Sequence, residues 1–147
     1  MSKKRILIFL LTISTVFAEI PKLFNNCQNC YAVTSYEIIK HWKPKLNVSI
    51  HELMELSNQG CAGGDPKKIL DIFFMNSRRH RGSLYKVIDL LRKKGPLILD
   101  LTPDHLVTAW KATKNGIVIH DNRYGEEKIV THKDHPLKFN FIMYPVT

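Results

Sequence analysis

The chain between residues 30 and 95 carries apolar positions at the three- or four-residue spacing of helices. Residues 30–42 are the first such segment, with one apolar stripe: Ala32, Val33, Tyr36, Ile39 and Trp42. Pro44 ends this helix, because the residue before a proline avoids helical geometry.

Helix-starting signals mark three further helices along the same part of the chain. Ser49 and Glu52 have the spacing of a capping box. Asp65 precedes a proline at a first helical position. Ser83 precedes the apolar positions of a fourth helix, and Gly95 ends it.

The pattern becomes extended after Pro96. It predicts five strands, over residues 97–101, 106–112, 117–121, 127–131 and 139–144. Asn115-Gly116 is a strong signal for a hairpin between the second and third of them. Helices followed by antiparallel strands predict one α+β domain, with a helical N-terminal half and a C-terminal antiparallel sheet.

The first 18 residues have the composition of a targeting segment. Lys3, Lys4 and Arg5 precede an apolar run over residues 6–17, and Ala18 supplies a small residue for cleavage. This pattern predicts a secretory signal peptide over residues 1–18, with an uncleaved anchor as the alternative. The run is shorter than the roughly 20 residues that span a bilayer. We therefore expect a secreted or periplasmic domain over residues 19–147, without a stable membrane span after cleavage.

The formal net charge of the chain is +9, and the basic residues are mostly scattered along it. A modest positive excess suits an acidic partner or surface, and no nucleic acid is expected as a partner. The densest basic cluster is residues 78–81. Charge runs of this kind are usually solvated, so the cluster is predicted to be a loop.

The chain has three cysteines, Cys27, Cys30 and Cys61. An exported protein is exposed to oxidising conditions, so one disulfide is expected and one thiol is left over. Cys30 lies at the start of the first predicted helix, where unpaired N–H groups and the helix dipole favour a thiolate. A thiolate is the reactive form of cysteine, so Cys30 is a candidate nucleophile.

The segment Cys27-Gln28-Asn29-Cys30-Tyr31-Ala32 resembles the Cys-Gly-Ser-Cys-Trp-Ala segment of the papain family. In that family the second cysteine attacks the substrate and the first is disulfide-bonded to a cysteine in a Cys-x-Gly-Gly-x-Pro segment. Cys61-Ala62-Gly63-Gly64-Asp65-Pro66 fits that pattern at every fixed position. The resemblance therefore implies a Cys27–Cys61 disulfide and a free, nucleophilic Cys30.

The same resemblance implies a histidine base. The family places Asp-His-Ala-Val at the start of a strand that follows a Gly-Pro-Val strand. Here Gly95-Pro96-Leu97 precedes Asp104-His105-Leu106-Val107. His105 is therefore the expected general base, at the polar mouth of an apolar strand.

Two residues compete for the role of orienting the imidazole of His105. The family uses Asn in an Ile-Lys-Asn-Ser-Trp-Gly segment. Aligning the apolar strand places Asp121 at the Asn position, whereas aligning Asn-x-aromatic-Gly places Asn122 there. Aspartate has this role in the bacteriocin-processing branch of the superfamily. Asp121 is favoured, because a shift of one residue turns a side chain to the other face of a strand.

The family's oxyanion-hole glutamine is missing, since Phe24 lies six residues before Cys30. Asn25 or Asn26 could replace it if the loop differs in length by one or two residues, and the Cys30 N–H would be the second donor. The resemblance thus implies a compact papain-like cysteine hydrolase that cleaves amide bonds through an acyl-thioester intermediate. Its expected partner is a peptide or protein substrate. Because no propeptide is recognised, control is expected from a separate inhibitor protein or from exposure of the enzyme only at its target.

Two other functions remain open from the sequence. A papain-like fold with an inactive site would serve as a binding or toxin-like protein, and Phe24 in place of glutamine favours this. The Cys27-x-x-Cys30 spacing would suit a thiol–disulfide protein, but no strand is predicted before it. No cofactor is expected. A zinc site is not predicted either, because three cysteines without a matched cysteine or histidine pair do not close a metal shell.

Overall fold

The computed structural model describes residues 27–122, 125–133 and 138–147. The predicted signal peptide, residues 1–18, lies outside them, as do Phe24, Asn25 and Asn26. The four helices are α1 (Cys30–Trp42), α2 (Ile50–Leu56), α3 (Pro66–Phe73) and α4 (Leu84–Lys94). The strands are β1 (Asn76–Gly82), β2 (Leu97–Thr102), β3 (His105–Ala112), β4 (Gly116–Asp121), β5 (Glu126–Thr131) and β6 (Phe139–Val146).

Side-chain caps fix the starts of three helices, as their sequences predict. The Ser49 hydroxyl accepts a hydrogen bond from the backbone N–H of Glu52 at 3.1 Å. The Asp65 carboxylate accepts one from Lys67 at 2.9 Å, and Ser83 caps α4 in the same way. Each of these bonds satisfies a backbone donor that has no partner within the helix.

All six strands form one antiparallel sheet in the order β1-β6-β2-β3-β4-β5. Alternating residues send their side chains to opposite faces. One face packs on α4 through Leu97, Leu99 and Val107. The other packs on α1, α2 and α3 through Ile98 and Met143. The α+β architecture is confirmed.

The prediction of a loop for the basic cluster, residues 78–81, is wrong. Residues 78–81 belong to β1, an edge strand whose Arg78 and Arg79 lie opposite Tyr144 and Met143 of β6. Exposed arginines are compatible with an edge strand, because charged side chains there discourage pairing with another chain. Because this segment lacks alternating apolar residues, its sequence pattern does not predict a strand.

The apolar stripe predicted for α1 is also only partly right. Trp42 is 37% exposed and covers Gly95, whereas Glu37 and Ile38, outside the stripe, are buried. The helix lies between the sheet and the other two helices of its layer, so most of its circumference is covered. The Glu37 side chain is buried as a result.

Candidate active site

Cys30 is the first residue of α1, and its thiol is free and half-buried. The carbonyl of Asn29 accepts hydrogen bonds from the N–H groups of Ala32 and Val33 at 2.9 and 3.1 Å, which starts the helix directly before Cys30. The first N–H groups of a helix have no intrahelical partner. Cys30 therefore lies where the helix dipole and unpaired donors favour negative charge.

The loop before Cys30 is held by the segment that contains Cys61. Cys27 and Cys61 are disulfide-bonded, and the backbone N–H of Gln28 donates to the Cys61 carbonyl at 2.7 Å. This is the pairing that the family resemblance implies. It leaves Cys30 outside any disulfide, so the Cys27-x-x-Cys30 spacing does not form the bond that a redox protein would need.

The two glycines after Cys61 bring this segment close to α1. Gly63 has φ +103°, a conformation that other residues rarely adopt. A Cβ on Gly64 would lie 2.9 Å from the ring of Tyr31, whose hydroxyl donates to the Gly60 carbonyl at 2.8 Å. The glycines thus allow the loop to pack on α1 and to form one wall of a cleft.

His105 and Asp121 meet at the ends of β3 and β4. His105 Nε2 lies 2.7 Å from Asp121 Oδ1, and both side chains are less than 10% exposed. Asn122, the alternative orienting residue, does not make this contact. Its Oδ1 is buried and has no hydrogen-bond partner within the part of the chain that the structure describes. The geometry therefore supports Asp121 over Asn122.

Cys30 and His105 line the same cleft, which has a volume of about 790 Å³. Its helical wall comes from the start of α1 and from residues 63–66, and its opposite wall comes from the sheet. This arrangement places a thiol at a helix start opposite an imidazole held by a carboxylate. A shared cleft is the first condition that a cysteine nucleophile and its general base must meet.

The expected side-chain donors of the oxyanion hole, Asn25 and Asn26, lie outside the described residues, so their role stays a prediction. Gln28, which the sequence analysis did not select, lines the cleft two positions before Cys30. The family's donor lies six residues before the cysteine, which corresponds to Phe24 here. The sequence signal for Gln28 is its amide side chain between the disulfide-bonded Cys27 and Cys30.

A second histidine–carboxylate pair was also missed. His120 Nδ1 lies 2.8 Å from Glu37 Oε1, with side-chain exposures of only 9% and 1%. Burial raises the pKa of the Glu37 carboxyl, although its contacts with His120 oppose this. Burial also acts to lower the pKa of His120, but the hydrogen bond and charge of Glu37 outweigh it, and the pKa is raised. The pair joins α1 to β4 beneath the cleft.

No metal cluster is present within residues 27–122, 125–133 and 138–147: no three histidine, cysteine, aspartate or glutamate side chains are grouped as ligands. Over the same residues, no helix is long and apolar enough to cross a membrane.

Two solved structures share this arrangement of helices and sheet. The peptidase domain of Streptococcus ComA, a bifunctional ABC transporter involved in a quorum-sensing pathway, matches with a TM-score of 0.62 and 15% identity. The match covers 80% of this chain and 90% of that one. A double glycine motif protease from an AMS/PCAT transporter, in complex with its leader peptide, matches with a TM-score of 0.60 and 16% identity, over 81% and 86% of the two chains.

The chain has a papain-like fold. No family model matches it, and no curated protein matches it. At this level of identity the likeness establishes the fold alone. The case for a reaction therefore has to be made from the residues in the cleft.

Proposed function

We propose that the chain is a cysteine peptidase or amidase that acts outside the cytoplasm. Cys30 is the nucleophile, His105 the general base and Asp121 the residue that orients the imidazole. The observation that carries the proposal is that a free thiol at a helix start shares one cleft with a histidine whose Nε2 is held by a carboxylate. The two structural neighbours, a peptidase domain and a protease, support this reaction class.

The hydrogen bond to Asp121 determines which nitrogen of His105 can act as the base. An ionised carboxylate only accepts hydrogen bonds, so its contact with Nε2 holds the proton on that nitrogen. The lone pair of the neutral imidazole then lies on Nδ1, which accepts the proton of the Cys30 thiol. A third group that fixes the tautomer of the base has the same role in other catalytic triads.

The reaction then follows the acyl-transfer scheme of cysteine hydrolases. Cys30 Sγ forms a bond to the carbonyl carbon, and the carbonyl oxygen becomes an oxyanion. The N–H groups at the start of α1 and the Gln28 amide are the donors we propose for it. His105 Nδ1–H protonates the leaving nitrogen as the C–N bond breaks, and water then hydrolyses the thioester with His105 again as base.

Peptides are the proposed substrate class. The neighbouring double glycine motif protease was solved with a leader peptide, which supports a peptide as the occupant of the equivalent cleft. Export by the predicted signal peptide, and control by a separate inhibitor protein, remain parts of the proposal. The Cys27–Cys61 disulfide supports export, because disulfides form and persist in oxidising compartments.

The first test is alkylation of the mature protein by iodoacetamide without reductant, followed by intact mass and peptide mapping. We expect one carbamidomethyl group, on Cys30, because the other two cysteines are paired. The labelling rate near neutral pH should fall at least about tenfold in His105→Ala, since the base that draws off the thiol proton is gone.

His80→Ala is the matched control, because His80 stacks on Tyr144 and does not line the cleft. Its labelling rate should equal that of the wild type. Labelling on Cys61, with Cys27 and Cys30 bonded to each other, would contradict the peptidase proposal and favour a redox protein. A labelled Cys30 whose rate is indifferent to His105→Ala would favour an inactive papain-like fold.

A further inference from the structure

The cleft continues past His105 along the sheet towards the edge strand β1. Four neighbouring strands each contribute a residue to its wall: His105 from β3, Asp100 from β2, Phe141 from β6 and Arg79 from β1. Neighbouring strands are about 4.8 Å apart, so three spacings separate β1 from β3 by roughly 14 Å. Through Met143 and Ile98, Arg79 is level with Thr108, three residues along β3 from His105. This offset adds roughly 10 Å along the strands, so Arg79 lies roughly 17 Å from the base, or about five residues of an extended peptide at about 3.3 Å each.

Arg79 has the geometry of an unoccupied carboxylate receptor. Its guanidinium carbon lies 4.7 Å from the centre of the Phe141 ring, and the residue is exposed. Stacking on a ring face leaves the planar N–H groups free to bind a carboxylate in a bidentate manner. Among the described residues, no carboxylate lies within ion-pair distance of Arg79.

Asp100, the acidic residue of the wall that contacts Phe141, is already engaged. Its two carboxylate oxygens accept hydrogen bonds from the backbone N–H groups of Asn140 and Phe141, at 3.3 and 3.0 Å. Asp65 caps α3 through Lys67. Asp104, by contrast, is exposed beside His105. The cleft is therefore polarised, with an unengaged negative charge near the reacting thiol and an unengaged positive charge at its far end.

We propose that Arg79 forms a subsite for a carboxylate of the substrate, about five residues from the scissile bond of an extended peptide. This inference rests on the proposed peptidase function and gives it a specificity. An aspartate or glutamate side chain is one source of that carboxylate, and the C-terminus of a short peptide is the other. Next to the scissile bond, Asp104 disfavours acidic residues, so the preference is confined to the Arg79 end.

The test is cleavage of two dodecapeptide libraries by the mature protein, with the cut positions read by mass spectrometry. One library is N-acetylated and C-amidated, and the other has a free C-terminus. We expect aspartate and glutamate to be enriched about tenfold at one position four to six residues from the cut in the amidated library. If the only enriched cuts are those close to the C-terminus in the library with a free C-terminus, the carboxylate that Arg79 binds is that of the peptide end.

Arg79→Glu should reverse the preference at that position towards lysine and arginine, while Cys30 is still alkylated at the wild-type rate. Arg78→Glu is the matched control, because it makes the same change of charge one residue away but faces α4 rather than the cleft, opposite Tyr144. It should leave the preference unchanged.

The outcomes separate the two proposals. Cleavage that proceeds with the same acidic preference in Arg79→Glu, or with no positional preference in the wild type, would overturn the Arg79 subsite and leave the peptidase intact. Absence of cleavage of every peptide, together with unlabelled Cys30, would overturn the peptidase proposal and the subsite with it.

Discussion

Two histidine–carboxylate pairs each include one residue at the end of β4, and they differ in the element that supplies the partner and in where they point. Asp121 binds His105 at 2.7 Å, and His120 binds Glu37 at 2.8 Å. The four side chains are each less than 10% exposed. His105 lines the cleft with Cys30, whereas His120 is closed off against α1.

The comparison shows that a hydrogen-bonded imidazole is not in itself a catalytic group. Alternation along β4 sends the side chains of consecutive residues to different sides of the sheet. The pair at the strand end meets a thiol and solvent, and the pair one residue earlier meets a helix. We therefore expect the first pair to control the reaction and the second to hold the nucleophile's helix on the sheet.

The largest effect is expected from the pair in the cleft. Asp121→Ala removes the acceptor that fixes His105, so kcat should fall about 10²–10⁴-fold with little change in KM. Asp121→Asn keeps an acceptor at the same point and should recover part of the loss. The measurement is steady-state hydrolysis of the peptide that the wild type cuts best.

Asn122→Ala is the matched control for this prediction, because the two residues are neighbours and only Asp121 contacts His105. It should keep kcat within about threefold of the wild type. If Asn122→Ala lost as much activity as Asp121→Ala, the orienting role would have to be divided between them or assigned to Asn122.

The cleft pair was accessible to sequence reasoning, and the buried pair was not. Both residues lie at the ends of apolar strands that the sequence pattern predicts: His105 at the start of one strand and Asp121 at the end of the next. The contact between their side chains also depends on the pairing of β3 with β4, and Asn115-Gly116 predicts the hairpin that joins these strands. Glu37 and His120 are 83 positions apart, and no local pattern couples a helix residue to a strand residue at that distance.

The edge strand β1 was not predicted from the sequence for a related reason. Its pairing partner, β6, is some 60 residues away, and its basic side chains carry no apolar alternation. Pairing at an edge is decided by the neighbouring strand more than by the strand's own residues. The place of Arg79 in the cleft follows from that pairing, so the sequence could not indicate it.

The second effect is on stability and comes from breaking the buried pair. His120→Leu leaves the Glu37 carboxylate buried without its partner, and the free energy of unfolding should fall by about 3–5 kcal/mol. Urea unfolding followed by tryptophan fluorescence measures it. The molecules that remain folded should still be alkylated at Cys30, since His120 does not line the cleft.

The double variant Glu37→Leu/His120→Leu is the control that separates lost charge pairing from lost packing. Replacing both partners with apolar side chains removes the unpaired carboxylate, so most of the stability should return. A double variant as unstable as His120→Leu alone would contradict the assignment and point to packing around residue 120 as the cause.

The smallest effect is on the pH dependence of stability, where the two pairs can be told apart without measuring activity. The pKa of His120 is raised by its hydrogen bond with Glu37 and by the charges of Glu37, Glu127 and Asp121, which outweigh burial. A histidine with a raised pKa in the fold stabilises it fully below its unfolded pKa of about 6.5, and this contribution is lost as pH rises through the folded pKa. The raised pKa of Glu37 acts in the same direction, since its buried carboxyl favours the proton.

Between pH 6 and pH 9, therefore, the unfolding free energy of the wild type should fall more than that of Glu37→Leu/His120→Leu, by up to about 1.4 kcal/mol for each unit by which folding raises the pKa. Subtracting the two urea-unfolding series cancels the groups that both proteins share, including His80 and the tyrosines. Parallel series would mean that the pair does not change its protonation in this range. A difference that grows as pH falls below 4 instead would mean that Glu37 is ionised in the fold and that its pKa is lowered.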